Sequence, residues 1–561
     1  MSQIRARRIN EKVYQKGVEK YLTEDMWTTG RYGANAVARL ALEEEVDPMV
    51  IERINRAARW FEFDYPGIPG RFLDGEQDFV THILIRAIYQ WGHKLPEKTI
   101  NLIHKFFTEQ ELESRYKSEN HMFLFHESRY LYSLKFPDAY FTQYQLTAAE
   151  AVEIDRKFLQ EFIRFRAQRG WAEFDSYGYG LEVFKVLLNL YDFGEPEMSK
   201  FAEMSANVML MDMIMDSSVE EGYYGGAHGR IYEGSTTDFR TTGMYKLYQY
   251  YFGDRDDCDI DLEPMFSGYL PADYVYDVLN SRPDTWTNRE CKHLHSITCP
   301  VPHKQVPQVP GSINKETYVT PDYIIGGVTW QDDYPADSEA AWYAHHQQHE
   351  WELSILPNPE LRIFSHHPGH FGTEGKEHGY WTGDLGCCCV QTFSDKNIAM
   401  ATYDIPDTEE HFIHARVPFK HMEAEMDGNY IWIKAERVYA MLWFSEGVKE
   451  GREDLLDVEV RSYGQKHGVV CTVASQAEYD SMDVFKAVVK ANEPALDKTT
   501  MTLTYANMKM NRNERFVDDA KVAFPYDTYD SPCVYSKHGS GIIETAKAVL
   551  NFNGWGTVTY K

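Results

Sequence analysis

Residues 147–167 read TAAEAVEIDRKFLQEFIRFRA, and this stretch is typical of the first half of the chain. Thr147 and Glu150 have the spacing of a capping box, which predicts that a helix begins here. Apolar side chains then recur at the spacing of one helix face, at Val152, Ile154, Phe158, Leu159, Phe162 and Ile163. Similar helical blocks occur near 35–44, 47–61, 79–91, 97–109, 119–134, 180–192, 198–215, 236–252 and 271–280. Helices in series with short loops predict helical hairpins arranged around a centre.

The last part of the chain has a period of two instead. Residues 430–444 read YIWIKAERVYAMLWF, in which Ile431 and Ile433 alternate with Tyr430, Trp432 and Lys434. Other strand-like runs lie near 339–356, 361–365, 397–403, 411–417, 457–462, 468–474, 500–505 and 541–551. Short strands separated by Gly, Asp and Asn predict a large antiparallel sandwich.

Between these halves, residues 283–321 show little periodicity and contain six prolines. Such a segment is typical of a linker that wraps a surface. We therefore predict a multidomain α and β protein. Its parts are an N-terminal (α/α) toroid over 1–282, a Pro-rich linker over 283–318 and a C-terminal antiparallel β-sandwich over 319–561.

Composition excludes several classes of partner. The 561 residues carry a net charge of −29, which disfavours nucleic acid and anionic membranes. The sequence contains no run of 18 apolar residues and no secretory signal, so we expect a cytoplasmic protein with reduced thiols, including the consecutive Cys387, Cys388 and Cys389. Tyr and Trp, 38 and 12, outnumber the 30 Phe, which suits either sugar stacking or a large aromatic core. A homo-oligomer is left open.

The first candidate segment is Ser118-Glu119-Asn120-His121. Ser118 is suited to a helix N-cap, which places Asn120 and His121 in the first turn, where free N–H groups attract an anion. The amide can donate a hydrogen bond and the imidazole can act as acid or base, so the pair could neutralise a carboxylate. The alternative is that both side chains only cap the helix.

Two glycine-rich loops are predicted at the rim of the toroid. Residues 170–180, GWAEFDSYGYG, carry two carboxylates, a hydroxyl group, two phenols and an indole. Residues 222–232, GYYGGAHGRIY, bring His228, Arg230 and Tyr232 within five residues, and the arginine supplies positive charge for an anionic sugar. Alternatively, the carboxylates of the first loop cap the next helix, its tyrosines pack, and the second loop is a solvated turn.

Histidines cluster in the β half, at His345, His346, His349, His366, His367 and His370, ahead of Tyr380 and Trp381. On a strand His345 and His349 share a face, but their spacing is not diagnostic of zinc. We expect these histidines to be hydrogen-bonded or to contribute one catalytic base, and we predict no metal. Motifs of serine hydrolases, zincins and dinucleotide-binding proteins are absent from the sequence.

The layout and these motifs resemble the heparinase II/III-type polysaccharide lyases and the related alginate lyases. In that family an Asn or an Asn-His pair at a helix start neutralises the uronate carboxylate, which matches Asn120 and His121. A tyrosine in an E-x-S-x-x-Y loop supplies the acid or base, which Glu173, Ser176 and Tyr179 resemble.

The gap from Glu173 to Ser176 is one residue longer than in the family motif, so Tyr177 is an alternative to Tyr179. A histidine of the sandwich completes the family's site, and His349 and His367 are candidates for it.

The resemblance implies β-elimination on an anionic, uronic-acid-containing oligosaccharide, without metal or organic cofactor. The predicted catalytic residues are Asn120, His121, Tyr179, Tyr177 and His349. The predicted substrate-binding residues are Glu173, Trp171, His228, Arg230, Tyr232, His367 and Trp381.

Two alternatives stay open. A glycoside hydrolase on a toroid would use two carboxylates, drawn from Glu173, Asp175 and Asp238. A non-catalytic sugar-binding protein would need only the aromatic residues of the rim.

Overall fold

The computed structural model describes residues 8–26, 33–60, 76–113, 118–231, 237–293, 312–331, 348–368, 380–382 and 389–561. The described part of the first half is mainly helical. Its helices are α1 (Glu11–Thr23), α2 (Ala34–Leu42), α3 (Pro48–Ala58), α4 (Gln77–Trp91), α5 (Glu97–Glu109), α6 (Glu119–Lys135), α7 (Ala148–Arg169), α8 (Tyr179–Phe193), α9 (Pro196–Met215), α10 (Gly243–Tyr251), α11 (Leu262–Phe266) and α12 (Asp273–Ser281).

These helices form two layers. In the inner layer α1, α2, α4, α6, α8 and α10 contact one another in that order, and α10 contacts α1 again. In the outer layer α3 contacts α5, α7 contacts α9, and α9 contacts α12. A closed inner ring with a second layer outside it is a toroid, as the helical periodicity predicts.

Local signals explain where the central helices begin. Thr147 and Glu150 form the predicted capping box at the start of α7. Ser118 occupies the N-cap of α6, and every residue of that helix from Glu119 to Ser133 is buried. Because α6 is buried on all sides, its polar side chains need partners, and Arg129 donates two hydrogen bonds to Asp155 of α7.

The second half is mainly β-structure. The helical half contributes three short strands, β1 (Tyr140–Phe141), β2 (Leu146–Thr147) and β3 (His228–Gly229). The following strands are β4 (Trp286–His293), β5 (Ser312–Val319), β6 (Tyr323–Gln331), β7 (Gln348–His349), β8 (Trp351–Ile355), β9 (Arg362–His366), β10 (Val390–Asp395), β11 (Ile398–Asp404), β12 (Phe412–Arg416), β13 (Glu423–Asp427), β14 (Tyr430–Ala435), β15 (Val438–Phe444), β16 (Lys449–Glu450), β17 (Glu459–Tyr463) and β18 (Lys466–Ser475). After a helix α13 (Met482–Lys490) come β19 (Ala495–Asp497), β20 (Thr502–Tyr505), β21 (Met508–Met510), β22 (Arg515–Val517), β23 (Ala520–Lys521), β24 (Tyr529–Asp530), β25 (Tyr535–Ser536), β26 (Ile542–Glu544), β27 (Ala548–Asn551) and β28 (Thr557–Tyr560).

Two large antiparallel sheets pack face to face. The larger has the order β16-β17-β12-β9-β8-β6-β5-β4-β24-β25-β26-β27-β28, and the smaller has the order β10-β11-β18-β15-β14-β13. Their shared core is apolar and includes Ile325, Leu353, Ile431, Leu442 and Val469. A five-stranded sheet, β19 to β23, and α13 contribute to a second core on the outer side of the smaller sheet. This arrangement confirms the predicted fold class, a helical toroid followed by an antiparallel sandwich.

The predicted linker over 283–318 is wrong in one respect. Its described residues form β4 and most of β5, which pair with each other along eight residues inside the larger sheet. The two-residue period was hidden because buried positions of these strands hold charged side chains, Glu290, Lys292 and Lys315, in place of apolar ones. Residues 294–311, which carry four of the prolines, lie outside the described residues.

One apolar cluster spans the two halves. Tyr529, Ile543, Leu550 and Phe552 of the C-terminal strands belong to the same apolar cluster as the helices of the toroid. The indole of Trp286 on β4 donates to the carbonyl oxygen of Met215 at the end of α9. In the described part of the chain, no helix has the length and apolar character needed to cross a bilayer.

Candidate functional site

Asn120 and His121 lie in the first turn of α6, where the sequence places them. Asn120 is 1% exposed, and its amide nitrogen donates to both carboxylate oxygens of Glu173 at 2.9 Å. Its backbone N–H also points to Glu173 Oε2, at 3.3 Å. The start of α6 therefore holds a carboxyl group, although this group belongs to the chain itself.

Glu173 is buried next to a second acid, Glu119. The carboxylate of Glu119 is held by Arg166 and accepts a hydrogen bond from the backbone N–H of Glu173 at 2.9 Å. Burial and the nearby charge of Glu119 raise the pKa of Glu173 to about 7, against the opposing effects of Arg230 and Asn120. A carboxyl group with this pKa exchanges its proton near neutral pH.

His121 pairs with another buried acid. Its Nδ1 lies 2.6 Å from Asp78 Oδ2 on α4, and its ring packs edge-on against Phe79. Burial disfavours the imidazolium, but the charge of Asp78 outweighs it and raises the pKa of His121. The raised pKa favours a protonated His121, which forms a buried ion pair with Asp78 at the start of α6.

The loop from Gly170 to Gly178 carries Glu173 to this position. Gly170 ends α7 with a φ of +68°, a conformation that favours glycine. Ser176 ties the loop to the second rim loop, because its hydroxyl donates to the carbonyl oxygen of Arg230 at 2.9 Å. The same hydroxyl accepts the backbone N–H of Tyr179, the first residue of α8, at 3.1 Å.

A small pocket lies beside this loop. Its lining brings together predicted residues of the rim, among them Trp171, Glu173 and Tyr179, on one side of the toroid. The described residues that line it are Glu119, Trp171, Glu173, Asp175, Ser176, Tyr179, Gly180, Val183, Met209, Asp212, Tyr224, Met244 and Lys292. Asn120 contacts the pocket through Glu173, so Asn120 and Tyr179 lie at the same end of the toroid.

Tyr177 does not share the position of Tyr179. It is fully buried, and its hydroxyl accepts a hydrogen bond from Arg362 of β9 at 2.7 Å. Burial raises the pKa of Tyr177 well above its ordinary value. Arg362 also donates to Glu352 of β8, so Tyr177 connects the toroid to the larger sheet.

His228 and His349 face each other across a small sheet between the halves. They are register partners in the pairing of β3 with β7, and both are buried. His228 Nδ1 lies 2.6 Å from the carbonyl oxygen of Asp175, and burial lowers the pKa of His228 to about 3. His349 Nδ1 lies 3.0 Å from Glu352 Oε2 and its Nε2 lies 2.9 Å from the carbonyl oxygen of Trp381. Both histidines belong to the interface between the halves, and burial also lowers the pKa of His349.

The remaining predicted residues lie elsewhere. Arg230 is half-buried with a φ of +52°, and its charge acts on Glu173. His367 and Trp381 are buried outside the strands, where Trp381 stacks on His414 of β12 at 4.5 Å, and neither lines the described pocket. Their predicted roles in substrate binding stay predictions. The predicted residue Tyr232, together with His345, His346, His370, Cys387 and Cys388, lies outside the described residues.

Sequence reasoning missed a buried group of six charged side chains behind the pocket. This lysine cluster consists of Asp175, Asp212, Asp216, Glu290, Lys292 and Lys315, each less than a tenth exposed. Two signals could have indicated it. Asp212 lies in the last turn of α9 and Asp216, four residues later, is the residue that caps its C-terminus, and Glu290 and Lys292 share a strand face.

Two ammonium groups connect the four carboxylates of the lysine cluster. Lys292 Nζ lies 2.9 Å from Asp212 Oδ2 and 3.1 Å from Glu290 Oε2, and it also binds Asp175. Lys315 binds Asp175 and Asp216. One oxygen of each acid lies within 4.8 Å of the others, a spacing that suits a metal ion. Among the described residues, however, the two lysines already bind these oxygens, so the donor set fits ammonium groups and not a metal.

Four carboxylates and two ammonium groups cannot all stay charged at low cost in a buried site. Burial and the charge of Asp212 raise the pKa of Glu290 to about 8, and burial raises the pKa of Asp216 to about 7 although Lys315 opposes it. Asp175 behaves oppositely, since Lys292 and Lys315 outweigh burial and lower its pKa. The lysine cluster thus favours the ionised form of Asp175, whereas burial shifts the pKa values of Glu290 and Asp216 towards neutral pH.

No protein family matches the sequence, and no curated protein is significantly similar to it. Among solved structures, the chain is similar to the chondroitin AC lyase of Streptomyces coelicolor A3 in complex with chondroitin sulphate. The two chains are 8% identical, the match covers 98% of this chain and 88% of that chain, and the TM-score is 0.39.

Proposed function

We propose that this protein is a carbohydrate-active lyase that cleaves uronic-acid-containing oligosaccharides by β-elimination. One observation carries the proposal. Asn120 and Glu173, a buried amide and a carboxyl group with its pKa near 7, meet at the start of α6 beside a pocket that Tyr179 lines.

The first step of β-elimination needs a neutralised carboxylate. Removal of the C5 proton of a uronate places negative charge on its carboxylate as an enolate, and hydrogen-bond donors aimed at that charge lower the barrier. Protonated Glu173 can donate one such bond. Asn120 holds Glu173 in place, and the N-terminus of α6 supplies positive potential behind it. This local arrangement acts against the net charge of −29, whose field salt screens over roughly 8 Å.

The second requirement is a proton carrier, and the structure favours Tyr179 among the phenols of the two loops. Tyr179 lines the pocket and is half-buried. Tyr224 also lines the pocket, but its hydroxyl donates to Asp175 at 2.6 Å, and burial raises its pKa well above the ordinary value. Tyr177 is bound to Arg362 behind the pocket. We therefore assign the proton transfer to Tyr179. As the phenolate it takes the C5 proton, and it then gives this proton to the leaving O4 as the C4–O4 bond breaks and the C4–C5 double bond forms.

One observation favours a glycoside hydrolase as the second candidate. Glu173 and Asp175 both line the pocket, and their environments move their pKa values apart, as in acid and base pairs of hydrolases. The carboxylate of Asp175, however, is already occupied by two lysines and Tyr224. Asp238 forms several hydrogen bonds with Arg240. Because both acids are engaged in ion pairs, they are weakened as general bases that could activate a water.

The test is a panel of uronate-containing oligosaccharides, with neutral oligosaccharides of the same length as controls. Elimination yields an unsaturated product that absorbs in the ultraviolet, whereas hydrolysis yields only a new reducing end. An ultraviolet product from uronates alone supports the lyase. Reducing ends without ultraviolet absorbance would overturn it in favour of the hydrolase, and Glu173→Gln should then abolish turnover while Tyr179→Phe should not. Binding without either product would indicate a sugar-binding protein.

A further inference from the structure

Asp175 lies at the centre of the pocket loop in a conformation that needs support. Its φ is +51°, in the left-handed region that residues with a side chain rarely adopt. Three donors hold its carboxylate: the ammonium groups of Lys292 and Lys315 and the hydroxyl of Tyr224. All three come from outside the loop, so the strained backbone is stabilised from the larger sheet and from the second rim loop.

The strain at Asp175 is coupled to the residues that face the pocket. Glu173 lies two residues before it, and Ser176 follows it directly and anchors the N–H of Tyr179. On the other side of the loop, the N–H of Gly229 donates to the carbonyl oxygen of Phe174 at 2.7 Å. A change in the backbone at Asp175 therefore moves Glu173 and Tyr179 together.

We propose that Lys315 is a positioning residue for the pocket. By binding Asp175 it holds the loop over 173–176 in the one conformation that presents Glu173 to Asn120 and Tyr179 to the pocket. Lys315 does not line the described pocket, so it acts through Asp175 and not through the ligand. The inference rests on the proposed function only where it concerns turnover, because the position of the loop can be measured without a substrate.

The variant has to remove the clamp without leaving a buried charge unpaired. Lys315→Met alone would strip both Asp175 and Asp216 of their ammonium partner and strongly destabilise the fold. Lys315→Met combined with Asp216→Asn removes one charge of each sign, and the new amide can still accept the hydrogen bond that Asn288 donates to Asp216 at 2.9 Å. The matched control is Arg86→Met with Asp192→Asn, a buried pair at 2.8 Å near the far end of α8.

Amide hydrogen exchange of the whole chain tests the proposal. In the Lys315/Asp216 variant we expect the N–H groups of Tyr179 and Gly229, which lock the loop, to exchange at least about tenfold faster. Peptides from α4 and α7 should keep their protection, and the control pair should leave the loop unchanged. Unchanged exchange in the loop, or an acceleration spread evenly over the toroid, would overturn the proposal.

Turnover separates this inference from the proposed function. If the lyase assignment holds, the Lys315/Asp216 variant should lose about tenfold or more in kcat and shift the pH limb that Glu173 sets, whereas the control pair should keep both. Wild-type protein without activity on any uronate, combined with faster exchange in the variant's loop, would reject the lyase and keep the positioning role. A variant with a faster loop but unchanged kcat and pH profile would overturn the positioning role itself.

Discussion

Glu173 is buried against the amide of Asn120 and beside the acid Glu119. This environment brings the pKa of its carboxyl group close to neutral pH. In water a glutamate is fully ionised at pH 7 and can only accept hydrogen bonds. With a pKa of about 7 it is protonated in about half of the molecules and can donate one. A site that has to recognise a carboxylate gains a donor in this way without an extra basic residue.

Asn120→Ala should lower kcat by about 100-fold, because it removes the amide that holds the carboxyl group of Glu173 in position beside the pocket. Because hydrogen bonds from Asn120 favour the ionised form of Glu173, their loss should also move the upper pH limb of activity to higher pH. The fold should lose about 1 to 3 kcal/mol, the cost of an unmade buried hydrogen bond. Steady-state kinetics from pH 5 to 9 and urea denaturation measure these effects.

Asn207→Ala is the control for this change. Asn207 is also a buried asparagine with side-chain bonds, to Tyr269 and Tyr274, but it does not line the described pocket. Its removal should cost stability without the loss in kcat. Equal kinetic losses in both variants would show that the effect of Asn120 is structural.

Tyr179→Phe should reduce kcat by roughly 100-fold to 10,000-fold, the range for loss of a general acid or base, with little change in stability. Tyr177→Phe should do the opposite, since it removes a hydrogen bond from buried Arg362 and destabilises the contact between the halves. Parallel measurement of kcat and of the urea midpoint separates the two. The reversed pattern would assign the proton transfer to Tyr177.

At the scale of secondary-structure elements, the close packing at Gly170, where α7 ends, leads to a testable prediction. A Cβ at Gly170 would lie 2.8 Å from Lys292 Cγ and 3.2 Å from its Cα, and the φ of +68° is unfavourable for alanine. Gly170→Ala should therefore cost about 1 to 3 kcal/mol and disturb the pocket loop. Gly92→Ala, where nothing lies within 4 Å of the added carbon, should cost nothing. The two urea midpoints decide, and equal midpoints would contradict the close packing at Gly170.

The elements of this fold differ in how far the sequence predicts them. The helices α6 and α7 follow from a cap and an apolar period, and they begin where Ser118 and Thr147 indicate. Strands β4 and β5 have no two-residue period of apolar residues in the sequence, because charged residues replace apolar ones on their buried face. A pattern of apolar residues cannot reveal a strand whose buried side chains are stabilised by ion pairs across to another element.

The same reasoning applies to the candidate site. Its helix start and rim loop were predictable, since Asn120, Glu173 and Tyr179 belong to segments rich in polar groups flanked by glycine. The residues that support the loop were not predictable, because Asp212, Lys292 and Lys315 are brought together only by the packing of α9 against β4 and β5. Spacing along one element shows which of its side chains share a face, but it does not show which residues of another element they meet.

At the scale of the whole molecule, the lysine cluster makes stability depend on pH. The pKa of Glu290 is about 8 in the folded state and ordinary, near 4.3, in the unfolded chain. The folded state therefore binds more protons between these values, so this group's contribution to stability is largest below about pH 4.3 and is lost as pH rises to about 8. The slope for one such proton is at most about 1.4 kcal/mol per pH unit.

Glu290→Gln should remove this part of the pH dependence. Between pH 5 and pH 8 the free energy of unfolding of the wild type should fall relative to that of the variant. Above pH 8 the difference between the two should stay constant. Urea denaturation of both proteins at each pH provides the comparison. A constant difference across this range would show that Glu290 does not hold a proton in the folded state.

The pairing of β4 with β24 also has a consequence for folding while the chain is being synthesised on the ribosome. Arg289 of β4 pairs with Asp530 of β24, roughly 240 residues further along, so the edge of β4 next to the toroid stays unpaired until most of the protein has been made. At about 5 to 20 residues per second, that wait lasts roughly 10 to 50 s. During it the exposed strand can pair with neighbouring nascent chains, a hazard of any unprotected sheet edge. Efficient synthesis of this protein should therefore depend on chaperones that cover the edge until the C-terminal strands emerge.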